Sequence, residues 1–503
     1  MKPPEYYANM EANIPKGQLR TRFAPSPTGY MHVGNLRTAL YGYLLARKAG
    51  GVFMLRIEDT DLERAVEGAT EIIYSTLASC GITHDEGPDV GGPVGPYIQS
   101  HRREIYAAYA DLIISKGHAY RCFCDKDTLE EMRNIQKASR IPHKYDGRCS
   151  RLTLEQIEAK LTAGTPNVVR QKIPPSGTTT FHDMVFGIIE VENSTLDDSV
   201  LIKGDGLPTY NFANVVDDHL MGITHVVRGS EYLSSTPKYN LLYQGFGWEI
   251  PNYIHCSPVM RDANNKLSKR LGDASFDDLE KKGYLKETIL NYIALLGWSP
   301  GGEEEKFSLS ELIEAFDVSG ISRSPAIFDY KKLNWLNGAY LRALSDEAFH
   351  TAALPYIKQA VKRDIDTNYI AQVLKERCEL LSAIPEQLDF IDSISECSID
   401  LYNNSKMKTS PATAIAVLEE AWNVLAQLNN WTKETVHQEL MVLAQRLGLK
   451  NGQLLWPLRV ALSGKTFTPG GGIEICIMLG KAETVARIKQ AVKTLNERLG
   501  DQA

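Results

Sequence analysis

Two short segments carry residue types suited to holding phosphate groups. The first is PSPTGYMHVGN at 25–35. Pro25 and Pro27 stiffen a turn, and Gly29 and Gly34 let a ligand approach the backbone. His32 can donate a hydrogen bond to a phosphate oxygen, beside the amides of a helix N-terminus. The second is KLSKR at 266–270, where Lys266, Lys269 and Arg270 surround Ser268. Taken alone, the first reads equally as a loop with an incidental histidine and the second as a solvated basic loop. In RIEDTD at 56–61, Glu58, Asp59 and Asp61 could hold a metal. The preferred reading is that Asp59 or Asp61 starts the next helix by capping it and complementing its dipole. Cys122-Phe123-Cys124 puts two thiols close enough to share a metal, and YDGRC at 145–149 returns a third, Cys149. Zinc favours four ligands in a tetrahedral array, usually cysteine or histidine. The alternative is three reduced thiols lining a small core. Cys80, Cys378 and Cys476 lie in apolar surroundings and read as core residues.

The elements around these segments follow a clear order. LRTRF (19–23) reads as a strand, Asn35 to Ala49 as a helix, VFMLRI (52–57) as a buried strand and 62–80 as a second helix. Strand–helix–strand–helix at this spacing predicts a doubly wound α/β sheet, which places its ligand at the carboxyl ends of the strands. From about 120 to 210 short strands at 168–173, 185–191 and 200–203 predict an inserted α+β module. The parallel sheet resumes at THVVR (224–228), and Thr236-Pro237 predict the cap and first turn of its helix. Beyond about 275 the apolar spacing is helical, as at 285–297, 412–427, 435–447 and 482–498.

The whole chain has 503 residues, 43% hydrophobic and 23% charged. At roughly 100–200 residues per domain that predicts three to five domains. No apolar run reaches the roughly 18 residues of a membrane span. The first 17 residues lack the apolar core of a secretion signal and read as a ragged extension on a cytoplasmic protein. Eight cysteines in so long a chain make no disulfide framework. The net charge of −7 argues mildly against a nucleic-acid partner. It does not exclude one, because only the contact face need be positive.

HVGN after PSPTG, with KLSKR later, resembles the two signatures of class I aminoacyl-tRNA synthetases. RFAPSPTGYMHVGNLRTAL, RIEDTD, DEGPDVGGPVGPYIQS (85–100), YDGRC, LPTYNFANVVDDHLMGITHVVRGSEYL (207–233) and LSGKTFTPG (462–470) are together similar to bacterial-type glutamyl-tRNA synthetases. The likeness covers roughly residues 19 to 498. It implies a Rossmann-type α/β catalytic domain with an inserted α+β module and an all-α anticodon-binding region. The divisions expected are 1–18, an extension; 19–119 and 211–262, the two catalytic halves; 120–210, an acceptor-binding module; 263–345, a stem-contact domain; and 346–503, the anticodon-binding region. Activation of L-glutamate by ATP and transfer to tRNA(Glu) are implied, by a monomer with no membrane partner. Mg²⁺ is expected to arrive with ATP, so no dedicated protein cage is needed.

The resemblance also assigns residues. His32, Lys266 and Lys269 would neutralise phosphate charge, with Gly34, Glu231, Val259 and Ser268 at the nucleotide. Arg22 and Arg228, at the ends of two parallel strands, would bind glutamate with Ser26, Glu58, Tyr210 and Asn214. An arginine grips a carboxylate in a bidentate fork and keeps its proton. The alternative for each arginine is a structural ion pair with Asp59, Asp61 or Asp217. Relatives with zinc complete the C-x-C pair and later cysteine with a histidine or a tyrosine. Here Arg151 holds the histidine position and Tyr145 the tyrosine position, so Cys122, Cys124, Tyr145 and Cys149 are the expected set, with His143 in reserve. Arg377 and Arg459 are candidate tRNA contacts, while Trp456-Pro457 reads better as core packing. The helical tail argues against a glutaminyl enzyme, and its presence argues against a shortened relative that lacks it. Intact His32, Lys269 and both arginines argue against an inactive tRNA-binding paralogue. APSPTG is not the G-x-G-x-x-G of a nicotinamide enzyme.

Overall fold

Short apolar strands alternate with helices through the first half of the chain, and each strand's buried side chains need a helix to cover them. The computed structural model describes residues 1–29, 31–61, 66–265, 267, 275–394 and 397–500. The chain divides into two compact units, Met1–Leu279 with Ile289–Asp329, and Glu280–Thr288 with Tyr330–Ala503.

In the first unit the elements begin with α1 (Pro4–Ala12), β1 (Arg20–Phe23), α2 (Val33–Lys48), β2 (Val52–Leu55), α3 (Ala69–Ser79) and α4 (Arg103–Ser115). They continue through β3 (Ala119–Cys122), α5 (Lys126–Ala138), α6 (Leu154–Thr162), β4 (Val168–Gln171), β5 (Thr178–Asp183), β6 (Gly187–Glu192) and β7 (Val200–Ile202). α7 (Tyr210–Leu220), β8 (His225–Gly229), α8 (Thr236–Phe246) and β9 (Asn252–Cys256) return to the sheet.

β1 pairs in parallel with β2, Phe23 opposite Leu55, and β8 pairs in parallel with β9, Arg228 opposite His255. β1 and β8 run side by side, with the Thr224 N–H donating to the Arg20 carbonyl at 3.0 Å. The predicted doubly wound core is therefore present. β5 joins β9 through Asp183 and Tyr253, then turns back as antiparallel β6. That hairpin lies within the 120–210 segment yet extends the β8–β9 sheet, whereas β3, β4 and β7 form a separate antiparallel sheet.

Three local expectations change. Residues 4–12 are helical rather than ragged, because Tyr7, Met10 and Ile14 pack against the core around Tyr109 and Phe246. Glu11 accepts from Trp248 Nε1 at 3.1 Å and lies 2.8 Å from His219 Nε2. The helix after β2 starts at Ala69 with Gly68 as its N-cap, so neither Asp59 nor Asp61 caps it. Asp59 instead accepts from the Ser100 N–H and hydroxyl at 2.8 and 2.6 Å. At α8 the cap is Ser235, and Thr236 and Pro237 form the first turn.

The second unit is helical, with Asp346–Ala360, Pro411–Gln427, Lys433–Arg446, Asn451–Ser463 and Gly472–Gly500 among its helices. Leu418, Leu440, Leu458, Cys476 and Ile488 are buried in its core. Gly480 breaks the last helix with φ 75° and ψ 169°, close to where the apolar periodicity of 482–498 begins. Pro457 is buried, and Trp456 donates its Nε1 to the Leu401 carbonyl at 3.0 Å, which fits the packing role read for that pair. No helix among the described residues is long and apolar enough to cross a membrane.

Candidate active site

A cavity of about 580 Å³ opens over the carboxyl ends of β1, β8 and β9. Arg22, Ser26, His32, Gly34, Glu58, Tyr210, Arg228, Glu231 and Val259 all line it, although they come from positions spread over more than two hundred residues. Asn214 is buried, donates its amide to the Tyr210 carbonyl at 2.5 Å, and stands behind the wall rather than in it. Lys266, Ser268, Lys269 and Arg270 lie outside the described residues. Leu267, between them in sequence, is buried and lines the cavity.

His32 is the N-cap of α2. Its Nδ1 accepts from the Gly34 N–H at 3.0 Å, which leaves the ring proton on Nε2. The same bond satisfies one of the orphan amides at the helix start.

Under the cavity lies a buried charge network. Arg22 donates Nε and Nη2 to the two oxygens of Asp218 at 3.0 and 3.2 Å, and Nη1 to the Val227 carbonyl. Its partner is thus Asp218, not Asp59, Asp61 or Asp217. Arg56 has no exposed surface and donates to Asp218 at 2.8 Å and to Glu58 at 3.0 Å. Asp217 receives Arg102 Nε, Gln99 Nε2 and the Tyr106 hydroxyl at 2.7, 2.9 and 2.8 Å. Arg22, Arg56 and Arg102 balance Glu58, Asp217 and Asp218 in formal charge. Burial pushes the Glu58 carboxyl up to about 7, against the opposing pull of Arg56 and Arg22.

Arg228 stands apart from that balance. It is 6% exposed and has no carboxylate partner among the described residues. Its Nε donates to His255 Nε2 at 3.0 Å and its Nη2 to the Thr236 hydroxyl at 2.8 Å. The rings of Tyr232, Tyr239 and Tyr253 lie 5.3, 4.9 and 5.2 Å from the guanidinium. Neutral acceptors and aromatic faces leave its charge uncompensated, which is costly unless an anion arrives. Arg37 also lines the cavity, but its Nη atoms are held by the carbonyls of Leu296 and Ser257.

Arg56, Asp218, Asp183 and His255 are functional-looking residues that sequence reasoning missed. Their one signal is an ionisable side chain inside an apolar stretch, such as His255 in YIHC (253–256).

A second constellation lies in the antiparallel module. The Sγ atoms of Cys122, Cys124 and Cys149 all lie within 4.8 Å of one another. The Tyr145 hydroxyl is 3.3 Å from both Cys122 and Cys124, and Arg170 stacks on the Tyr145 ring at 4.1 Å. Three thiols and a phenol converging on one point fit a tetrahedral zinc donor set. His143 is exposed and does not join the group. In the second unit Arg459 holds the Thr466 carbonyl at 3.2 Å. Burial and the charge of exposed Arg377 press its proton affinity below the ordinary guanidinium range.

A parallel sheet with a charged cavity at its carboxyl edge is the architecture of nucleotide-using α/β enzymes. Residues 18–335 match the catalytic domain of class I tRNA synthetases (E and Q), and residues 343–492 match an anticodon binding domain. The chain belongs to the class I tRNA synthetases of this E and Q family. A glutamate–tRNA ligase of Clostridium tetani is 60% identical over 482 residues, covering 96% of this chain and 99% of its own. One from Clostridium botulinum is 59% identical over 478 residues, covering 95% and 99%. Among solved structures, a glutamate tRNA ligase from Elizabethkingia meningosepticum in complex with its amino acid superposes with a TM-score of 0.86. It is 36% identical and matches 95% of this chain and 100% of its own.

Proposed function

We propose that this chain is a glutamate–tRNA ligase that activates L-glutamate with ATP and transfers it to the 3′ end of tRNA(Glu). The observation that carries the amino-acid assignment is Arg228, a buried cation on the cavity wall with no carboxylate partner among the described residues. The glutamate side-chain carboxylate completes it. Arg22 is already bidentate with Asp218 and contributes field rather than a vacant fork. The ammonium group of glutamate donates to Glu58, Tyr210 donates to a carboxylate oxygen, and Ser26 closes the edge. Asn214 acts by holding the start of α7 behind Tyr210.

In the first step a carboxylate oxygen of glutamate attacks the α-phosphorus of ATP, and the bond to the bridging oxygen of pyrophosphate breaks. In the second, the terminal adenosine hydroxyl of tRNA attacks the adenylate carbonyl and AMP leaves. Alignment and charge neutralisation supply most of the rate. His32 presents its Nε2–H to phosphate, with Gly34, Glu231 and Val259 around the nucleotide, and Mg²⁺ accompanies ATP. Lys266, Ser268 and Lys269 take the phosphate-binding role that the KLSKR signature implies. Arg377 and Arg459 meet the tRNA. Cys122, Cys124, Tyr145 and Cys149 hold zinc, which stiffens the module expected to grip the acceptor end. The test is ATP-dependent attachment of labelled glutamate to purified tRNA(Glu), with glutamine in a parallel assay. Esterification of glutamate alone is expected, and charging of glutamine at a comparable rate overturns the assignment.

A further inference from the structure

We propose that His255 and Asp183 are positioning residues for Arg228, holding its guanidinium in the orientation that selects a side-chain carboxylate. The inference rests on the reading of Arg228 as the carboxylate-binding residue.

The geometry runs through three consecutive contacts. Arg228 and His255 are direct partners on parallel β8 and β9, so their side chains share one face of the sheet. His255 is completely buried, and its Nε2 accepts from Arg228 Nε at 3.0 Å. Its Nδ1 lies 2.6 Å from Asp183 Oδ2, at the end of β5 where that strand meets β9. Asp183 is also completely buried and has its other oxygen occupied by the amides of Val185 and Phe186 at 2.9 and 2.7 Å.

This arrangement decides the histidine tautomer. A carboxylate can only accept, so Nδ1 must carry the proton and Nε2 must offer a lone pair. That lone pair is what Arg228 Nε–H needs. Burial, with the positive charge of Arg228, holds His255 down to about 4 despite Asp183, so the ring is neutral at working pH. A carboxylate in place of His255 would satisfy Arg228 equally well in geometry. It would also cancel the charge that a substrate must meet. A neutral acceptor fixes orientation and leaves the charge available, and Asp183 sits one ring away, where it sets the tautomer without pairing with the arginine.

Asp183→Asn inverts the device. The amide oxygen stays with the Val185 and Phe186 N–H groups, so the NH₂ faces both the His255 ring and the His255 backbone N–H, from which Asp183 Oδ2 accepts at 3.2 Å. The ring then protonates Nε2, and two N–H groups oppose each other at Arg228. His255→Phe keeps the ring shape and the backbone contacts of Asp183 but removes the acceptor. In both variants the KM for glutamate is expected to rise about 10–100-fold, the value of one hydrogen bond to a charged group. The preference for glutamate over glutamine should fall by a similar factor, with the KM for ATP changed less than about twofold. Added to Arg228→Ala, either substitution should cost nothing further, because its target is gone. Histidine ¹⁵N spectra of the unmodified enzyme should show His255 as the neutral Nδ1–H form, a readout that needs no variant to fold. An Nε2–H form, multiplicative losses in the double variants, or wild-type glutamate KM in both single variants overturns the proposal. Unchanged glutamate kinetics in Arg228→Ala overturns the carboxylate-binding reading and this one with it. A crippled Arg228→Ala beside unaffected Asp183→Asn and His255→Phe removes only the positioning role.

Discussion

Arg22 and Arg228 end neighbouring strands and look interchangeable in the sequence, yet their partners set opposite expectations. Removing Arg22 deprives buried Asp218 of its bidentate partner, leaving Arg56 alone against it. Arg22→Ala should therefore destabilise the fold by about 3 kcal/mol, visible as a lowered Tm. Arg228→Ala removes a cation that has no carboxylate partner among the described residues, so its Tm should hold or rise. Its kcat/KM for glutamate should fall by about 100-fold or more. A matched loss of Tm in both variants would contradict the distinction. Glu58 adds a pH dependence. Its carboxyl is raised from an ordinary 4.5 to about 7 by burial. A raised carboxyl stabilises the fold fully below its unfolded value, and that contribution is lost as pH rises through about 7. Substrate binding has the opposite sign, because the ammonium group needs the carboxylate. The kcat/KM for glutamate should fall as pH drops below about 7, and Glu58→Gln should abolish that limb in a profile from about pH 5.5 to 8.5. A profile of unaltered shape in Glu58→Gln would assign the limb elsewhere.

At the scale of elements, the last helix and the thiol cluster make separate expectations. Gly480 has φ 75° and ψ 169°, a region open essentially to glycine, and a Cβ there would meet no atom within 4 Å. Gly480→Ala should thus cost about 1–3 kcal/mol through the backbone alone, read by denaturant unfolding. A neutral result would mean that the break relaxes into continuous helix. The periodicity at 482–498 was legible in the sequence. The longer span to Gly472 was not, because two helices meet across one glycine. For the thiol cluster, protein purified without chelator should carry close to one zinc per chain. Chelation should make three thiols titratable and reduce tRNA charging more than ATP binding. Metal far below stoichiometry with three thiols already reactive would return the cluster to plain core packing.

At the scale of the whole molecule, a chain of net charge −7 that handles a polyanion must concentrate its cations locally. The KM for tRNA should accordingly rise at least about 10-fold between about 50 and 200 mM salt, while the KM for glutamate moves little. Equal salt sensitivity of the two would place tRNA recognition on uncharged contacts. The sequence by itself determined the doubly wound core, the helical second unit and most of the cavity lining. The core and the helical unit follow from apolar periodicity, a local property of the chain, whereas the cavity residues were legible only through motifs shared with a known family. Only the tertiary structure decided which charges meet. Asp218 rather than Asp217 takes Arg22, Asp59 serves Ser100 instead of a helix start, and Asp183 reaches Arg228 through His255. Each of those pairings joins residues from different elements: Arg22 on β1 with Asp218 on α7, Asp59 after β2 with Ser100 before α4, and Arg228 with His255 across the β8–β9 register. Spacing along the chain carries no record of which carboxylate a folded sheet will set beside which arginine.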